Sequence, residues 1–599
     1  MTYTPPPSFT TRPTLSGTFG MAASTHWLAT ATAQAVLERG GNAFDAAVAA
    51  GFVLHVVEPH LNGPGGDMVA IFHPADAAGP AVLMGQGPAP ARASIDHCRA
   101  EGLDLVPGAG GLAAAVPGAV DAWLLLLRDH GTWELADVLA FAIGYARDGH
   151  PLLPSAAATI ARVARLFADD WTTSADLWMP GGEPPKGGDV VRNPAYAAVL
   201  DGLVHASCAI RDDGPVGRAA RIDAARHEWK TGIVAHEAAV FLATPHRHSD
   251  GGLHAGVITP DDFARFDAGY EDPITREFRG HTVAKAGAWT QGPALLQTLG
   301  MLDPLADDLL DPSQEAGAHT ILEAQKLALA DRDAWYGDTD VDLETLLSAD
   351  YLAERRALIG DTASTEFRPG RISGRTPYRP ELRVGAVRRA AGTGEPTVER
   401  SGRTRGDTCH LDVVDRWGNI ISATPSGGWL QSSPTIPALG FCLGTRLQMT
   451  WLDAGHPASL TPGKRPRTTL TPTLVLKDGA PSFAIGSPGG DQQDQWQLLA
   501  LLRMIVGGYT AQQAIDAPAL HTTAMIDSFW PRMFVPAGAV VEDRLGDEVI
   551  GGLERRGHAV TRAGDWALGR LSAVGIDRAA GLLWAAANPR GMQGYAAGR

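Results

Sequence analysis

One threonine stands where an arginine-rich polar segment gives way to a β-hairpin, and this junction constrains the fold more than any other stretch. The polar segment, from about residue 363 to 407, holds ten arginines against five acidic residues. After Thr408, apolar residues alternate up to Asp415, a turn follows at Trp417-Gly418-Asn419, and a second strand is predicted over residues 420–424. The pattern indicates a place where the chain could be cut and the new amino terminus held by a sheet.

Thr408 would gain a built-in base if the chain were cut before it. Its α-amine, with a pKa of about 7.7–8, could accept the proton of its own hydroxyl. Thr408 could also be an ordinary β-forming residue at a strand start. Cys409 is a rival nucleophile, but adjacent strand residues point to opposite faces, so we expect it to lie away from the site of Thr408.

Composition excludes several classes of protein. The net charge of −16 argues against general nucleic-acid binding, which needs a basic surface. Cys98, Cys208, Cys409 and Cys442 show no paired spacing, so we predict neither a disulfide framework nor a zinc site. The amino terminus does not resemble a secretory signal, and no apolar run is long enough to span a bilayer. We therefore expect a cytoplasmic protein without a membrane partner.

Periodicity and turn signals predict a mixture of helices and strands. Strands are expected over residues 20–25, 68–73, 82–85, 281–285, 474–477 and 482–486. Helices are expected over residues 26–40, 46–57, 318–336, 495–506 and 542–556.

Nine short motifs lie at residues 40–46, 58–66, 117–120, 146–149, 323–332, 408–410, 462–466, 486–490 and 586–590. In this order they resemble the γ-glutamyltranspeptidase family of N-terminal-nucleophile hydrolases. The resemblance implies an α+β fold, a four-layer αββα sandwich. It also implies a precursor that cleaves itself between Asp407 and Thr408, giving a large subunit of residues 1–407, with a flexible linker from about 363, and a small subunit of residues 408–599.

The resemblance assigns roles to individual residues and requires no cofactor. Thr408 would attack the Asp407 carbonyl once and then substrate amides, and the amides of Gly489 and Gly490 would form the oxyanion hole. That glycine loop could otherwise be a tight turn or a phosphate cradle. Ser426 takes the place of a second hydroxyl that supports the nucleophile, or is only a turn residue. Thr468 and Thr469 correspond to a serine pair that binds substrate.

Departures from the family pattern concern the acyl group. Gln86 replaces an arginine that holds the γ-glutamyl α-carboxylate, and Gly428 replaces an asparagine. Residues 445–451 replace a segment whose aspartate holds the α-amine. Arg446, within it, could bind an anion or simply be exposed.

The departures therefore favour an amidohydrolase or acyltransferase that acts on a small-molecule amide with another acyl group and passes that group to water or an amine. Cephalosporin acylases of the same family show such a change. The alternatives are a true γ-glutamyltransferase that hydrolyses glutathione, and an uncleaved, non-catalytic binding protein on the same scaffold.

A metal hydrolase can be argued from His246, His248, Asp250 and His254. These residues lie in a polar stretch without helical ligand spacing, so a solvated loop is the alternative.

Overall fold

A computed structural model describes residues 3–212, 214–372, 374–385, 408–592 and 594–599 of the protein. Asp407 and the rest of the expected cleavage segment, residues 386–407, lie outside the described residues. The α-helices are α1 Trp27–Glu38, α2 Ala43–Val57, α3 Ile95–Ala100, α4 Ala119–His130, α5 Leu135–Asp148, α6 Pro154–Asp169, α7 Thr172–Trp178, α8 Pro194–Cys208, α9 Pro215–Thr231, α10 Ile233–Leu242, α11 Pro260–Arg265, α12 Gly292–Leu302, α13 Glu315–Trp335, α14 Leu343–Leu346, α15 Ala349–Arg356, α16 Gln493–Ile505, α17 Ala511–Asp516 and α18 Asp547–Arg555.

The β-strands are β1 Leu15–Gly17, β2 Gly20–Ser24, β3 Asp67–His73, β4 Ala81–Gly85, β5 His150–Pro151, β6 Val190–Val191, β7 His246–Arg247, β8 Leu253–His254, β9 Gly269–Glu271, β10 Ile274–Phe278, β11 His281–Lys285, β12 Leu411–Asp415, β13 Ile420–Ser426, β14 Thr473–Lys477, β15 Ala480–Gly486, β16 Leu520–Thr522, β17 Gly538–Val541, β18 Ala559–Arg562, β19 Ser572–Asp577, β20 Leu582–Ala587 and β21 Tyr595–Gly598.

Two antiparallel seven-stranded sheets form the centre of the molecule. The first has the strand order β21-β2-β12-β13-β3-β4-β9, and the second has the order β1-β20-β19-β15-β14-β11-β10. Each sheet combines strands from before residue 386 with strands from after residue 407. The hairpin β12–β13 lies in the middle of the first sheet, between β2 and β3.

Successive side chains of β12 point to opposite faces of the first sheet and so enter different cores. Leu411 and Val413 pack against α1, α2 and α4 in one core, whereas Val414 joins a second core between the two sheets. A third core packs the other face of the second sheet against α12, α13 and α16. The order helix, sheet, sheet, helix confirms the predicted αββα sandwich.

Local sequence signals set most element boundaries. Asn42 caps α2 in a capping box with Asp45, and the strand predicted over residues 281–285 is observed as His281–Lys285. The helix predicted over residues 542–556 is wrong in its first turn. Asp543–Leu545 is a 3₁₀ turn, and α18 begins only after Gly546, whose φ of 92° interrupts the helix.

Residues 363–372 and 374–385 pack against the body of the protein. Gly370 N donates to Asp331 Oδ1 at 2.6 Å, Arg368 Nη2 to Glu323 Oε2 at 3.0 Å, and Phe534 N to the Arg383 carbonyl at 2.9 Å. These contacts do not fit a flexible linker that starts at residue 363. The division into subunits at residues 407 and 408 stays a prediction.

Within the described ranges, no helix has both the length and the apolar character needed to cross a membrane.

Candidate active site

Thr408 lies at the start of the β12 hairpin, between the two sheets. It forms an antiparallel bridge with Ser426 and is 2% exposed. Its Oγ1 is 3.2 Å from Ser426 Oγ and donates to the Gly489 carbonyl at 3.3 Å. The structure therefore brings together three of the predicted site residues, one from each of three separate segments.

Cys409 points to the opposite side of the same sheet, as predicted. Its thiol is buried in the core under the helices and donates to Glu58 Oε2 at 2.9 Å. Burial, together with the neighbouring Glu58 carboxylate, raises the pKa of Cys409 well above its usual value. Because the thiolate is the reactive form, Cys409 is poorly suited to attack a carbonyl.

The glycine loop joins β15 to α16 and reaches Thr408. Gly489 has a φ of 122°, which a side chain would strain. Gln291 Nε2 donates to the Gly490 carbonyl at 3.3 Å, and Gln291 Oε1 accepts from Arg332 Nη1 at 2.9 Å. The contact of the loop with Thr408 comes from a carbonyl, so the oxyanion role of the Gly489 and Gly490 amides stays a prediction.

A buried charged network that the sequence analysis did not foresee holds this loop. Arg332 contacts Asp491, the residue after the glycine pair, and Asp491 accepts from Ser528 N at 2.8 Å and Ser528 Oγ at 2.6 Å. Burial would raise the pKa of Asp491, but the Arg332 guanidinium, the hydrogen bonds from Ser528 and the charge of Arg467 together outweigh it and hold the pKa below its usual range. The motif at residues 330–332, which includes Arg332, was the sequence signal for this network. Its partner, Asp491, is distant in the sequence.

His410 links the segment that follows Thr408 to the same loop. Its Nε2 is 2.9 Å from Asp412 Oδ1, and its Nδ1 is 2.9 Å from Thr424 Oγ1. The ring lies directly against Gly486, the last residue of β15, where an added Cβ would be 2.0 Å from His410 Cε1. His410 therefore sets how closely β12 approaches the start of the glycine loop.

The ends of strands β13, β3 and β4 lie side by side next to Thr408. Ser426 is opposite Asp67 in the β13–β3 ladder, and Met68 is opposite Gly85 in the β3–β4 ladder. Continuing the β3–β4 register by one residue puts Gln86 opposite Asp67, on the side of Asp67 away from Ser426. Strands lie about 4.8 Å apart, so the backbone of Asp67 is about 10 Å from that of Thr408, and that of Gln86 about 14 Å.

Gln86 is fully buried and remote from Thr408. Its Nε2 donates to the Gly87 carbonyl at 3.1 Å, and its Oε1 has no partner in the part of the chain that the structure describes. It lines a cavity of about 500 Å³ together with Met84, Asp338 and Arg465. That volume suits a small organic molecule. The substrate-binding role of Gln86 stays a prediction.

Arg446 is buried, so the interpretation of an exposed arginine is wrong. Its Nη2 donates to Asp67 Oδ1 at 2.7 Å. Burial raises the pKa of Asp67, and Arg446 opposes that rise. An incoming anion would therefore meet a guanidinium that is already paired.

The two threonines differ in their contacts. Thr468 N donates to the Trp289 carbonyl at 2.9 Å, and its hydroxyl accepts from Leu470 N at 3.3 Å. The Thr469 hydroxyl is buried without a hydrogen-bond partner among the described residues. Their substrate-binding role stays a prediction.

The expected solvated histidine loop is wrong for His248 and His254. His248 Nε2 accepts from Leu112 N at 2.9 Å, and buried His254 lies between Glu101 and Asp250. These histidines hold neighbouring segments together.

Another group, His319, Glu323 and His558, has its ligand atoms within 4.8 Å of one another. Glu323 already pairs with Lys326 at 2.6 Å and with Arg368 at 3.0 Å. Two cations at this carboxylate would repel a metal ion.

Several known proteins are similar to this chain over most of its length. The family model described as gamma-glutamyltranspeptidase matches residues 29–598. The glutathione hydrolase-like YwrD proenzyme of Bacillus subtilis is 29% identical, over 96% of this chain and 98% of its own. The acylase ACY 1 proenzyme of a Pseudomonas strain is 28% identical, over 92% of this chain and 88% of its own. The oxamate amidohydrolase proenzyme of Klebsiella pneumoniae is 29% identical, over 97% of this chain and 98% of its own.

Solved structures are similar over nearly the whole chain. The structure of LmbA2991HD is 52% identical with a TM-score of 0.93, and the match covers 99% of this chain and 100% of that one. A cephalosporin acylase from Bacillus halodurans is 26% identical with a TM-score of 0.81, covering 99% of this chain and 98% of that one.

Proposed function

The chain belongs to the γ-glutamyltranspeptidase family, and we propose that Thr408 is the nucleophile of this hydrolase, exposed when the precursor cuts itself before that residue. One observation carries the proposal. The Thr408 hydroxyl lies at a strand start between the sheets, within hydrogen-bond reach of Ser426 and of the Gly489 carbonyl. Relatives named as hydrolases and acylases support an enzyme of this kind.

Maturation uses the same hydroxyl as catalysis. Thr408 Oγ1 attacks the Asp407 carbonyl carbon, the peptide bond breaks, and the acyl group moves from nitrogen to oxygen, which frees the Thr408 amine. Water then hydrolyses this ester, leaving a carboxylate on Asp407 and the hydroxyl on Thr408.

In later turnovers the free amine of Thr408 takes the hydroxyl proton as Oγ1 attacks the substrate amide, and it returns the proton to the departing amine. The acyl ester then passes to water or to an amine acceptor. Ser426 supports the hydroxyl of Thr408, and the Gly489 and Gly490 amides stabilise the oxyanion. Loss of one such donor typically costs about 3–4 kcal/mol.

The two products of the cut remain one particle in this proposal. The small-subunit strands β12 and β13 lie between the large-subunit strands β2 and β3, so separation would break the centre of the first sheet. We therefore expect a heterodimer of residues 1–407 and 408–599. A cytoplasmic location is also part of the proposal and can be checked by cell fractionation.

The acyl group is expected to differ from γ-glutamyl, because neutral Gln86 stands where the family has arginine and residues 445–451 contain no acid. Hydrolysis of glutathione is the second candidate, favoured by the YwrD relative. A panel of glutathione, γ-glutamyl anilide, oxamate and cephalosporin side-chain amides distinguishes these possibilities.

Intact mass and amino-terminal sequencing test the nucleophile directly, with Thr408→Ala as the matched control. The proposal expects two fragments, the smaller starting at Thr408, and one uncut chain in the control. A parent chain that stays uncut after long incubation would contradict the proposal and favour the non-catalytic binding protein.

A further inference from the structure

A buried ion pair lies on the same side of the sheet as the nucleophile. Asp67 is directly opposite Ser426, and Ser426 is directly opposite Thr408 on its other edge. Directly opposed residues of an antiparallel pair project to the same face. The Asp67 carboxylate and its partner Arg446 are therefore placed beside Ser426, about two strand spacings, or about 10 Å, from Thr408.

This pair leaves one donor and one acceptor unused. Arg446 Nη2 donates to Asp67 Oδ1 at 2.7 Å, whereas Arg446 Nε and Asp67 Oδ2 have no partner among the described residues. The side chains are only 3% and 4% exposed. Buried polar atoms in folded proteins are nearly always hydrogen-bonded, so two unpaired atoms on one ion pair indicate a place for a ligand.

An apolar cluster adjoins both the pair and the glycine loop. Trp429, Met449 and Phe529 pack together, and the Arg446 guanidinium carbon is 5.6 Å from the centre of the Trp429 ring. Phe529 also packs against Gly490, where an added Cβ would lie 2.5 Å from its ring. The cluster thus extends from the ion pair to the loop that contacts Thr408.

We propose that Asp67 and Arg446 bind a neutral amide group, such as a carboxamide, peptide or ureido group, in the acyl part of the substrate. Asp67 Oδ2 accepts its N–H, and Arg446 Nε donates to its carbonyl oxygen. This inference rests on Thr408 as the nucleophile. The charges of the pair cancel, so a ligand with a net charge would leave an uncompensated charge in a buried site, and a zwitterion would bury two further charges, whereas a neutral amide buries none.

Matched anilides test the inference on the mature enzyme. We would compare 4-carbamoylbutanoyl, glutaryl, γ-glutamyl and pentanoyl p-nitroanilides, which present an amide, an anion, a zwitterion and no polar group. The carbamoyl compound should exceed the pentanoyl compound in kcat/KM by about tenfold or more, because a site built for hydrogen bonds discriminates against a ligand that lacks them. A preference for the glutaryl or γ-glutamyl compound would overturn the neutral-amide assignment.

The variant Asp67→Leu/Arg446→Met removes both charges and the proposed acceptor and donor together, so neither charge is left buried alone. It should bring the ratio of carbamoyl to pentanoyl rates to about one or below. The matched control, Asp121→Leu/Arg226→Met, removes a buried ion pair of the helical layer, whose atoms are 2.8 Å apart, and should keep the ratio. An unchanged ratio in the Asp67/Arg446 variant would overturn the inference.

A second readout does not depend on turnover. 4-Carbamoylbutanoic amide, the uncharged diamide of the same chain, should raise the melting midpoint of the mature enzyme but not that of the Asp67→Leu/Arg446→Met variant. Absence of this stabilisation overturns the inference even if Thr408 is the nucleophile. A chain that never cuts before Thr408 instead defeats the proposed function.

Discussion

Adding a single methyl group at Gly486 should disrupt the contact of His410, two residues after Thr408, with the start of the glycine loop. In Gly486→Ala the new Cβ would lie 2.0 Å from His410 Cε1, 2.5 Å from Nε2 and 2.7 Å from Nδ1. Ordinary contacts of a Cβ begin at 3.4 Å, so the imidazole ring must move by more than 1 Å. The ring has hydrogen bonds of 2.9 Å on both sides, to Asp412 and Thr424, and such a movement breaks both.

The expected cost follows from these contacts. Overpacking of a core costs about 1–3 kcal/mol, and each lost buried hydrogen bond about 1 kcal/mol net. Gly486→Ala should therefore destabilise the chain by about 3–5 kcal/mol. It should also slow cleavage before Thr408, because the Thr408 hydroxyl is displaced from the Gly489 carbonyl that it contacts.

Thermal and urea unfolding would be measured in the Thr408→Ala background, where every variant remains uncut. Gly144→Ala is the control, since its Cβ meets nothing within 4 Å and alanine favours the helix. Combining Gly486→Ala with His410→Ala gives room to the methyl group, so the two changes should couple by about 2 kcal/mol or more. Purely additive effects, or a Gly486→Ala chain as stable as the parent, would refute the reasoning.

Three further outcomes are expected. Ser426→Ala should slow self-cleavage about fivefold, the equivalent of one neutral hydrogen bond, while Ser426→Thr keeps the rate in a time course of intact mass; equal rates in all three would leave Ser426 with a structural role only, as the last residue of β13. Cys409→Ser should cut normally before Thr408, because a serine hydroxyl can still donate to Glu58, and a loss of cutting would implicate the thiol. Acid should destabilise the fold below about pH 6.5, since burial lowers the pKa of His55, His60 and His521 to about 3 and the unfolded chain then binds more protons. Each histidine contributes roughly 2 kcal/mol between pH 7 and pH 5, and His521→Gln should flatten the pH dependence of the unfolding midpoint.

Residues close together in the sequence were predictable because their arrangement depends on local periodicity. Alternation along a strand was enough to direct Thr408 and Cys409 to opposite faces, and the structure bears this out. The capping residue Asn42 and the hairpin turn before Ile420 rest on equally local preferences. The motif order and the family resemblance added the αββα sandwich.

Long-range partners were not predictable from any one segment. Arg446 and Asp67 are 379 residues apart, and the Arg332–Asp491 contact spans 159 residues. Which charge meets which depends on the order of strands in the sheets and on their register, and no local pattern encodes either. The sequence alone therefore predicted Thr408 as the nucleophile, because an N-terminal threonine needs only its own amine. The tertiary structure decided what surrounds it, since the pairing of buried charges follows from packing two sheets together.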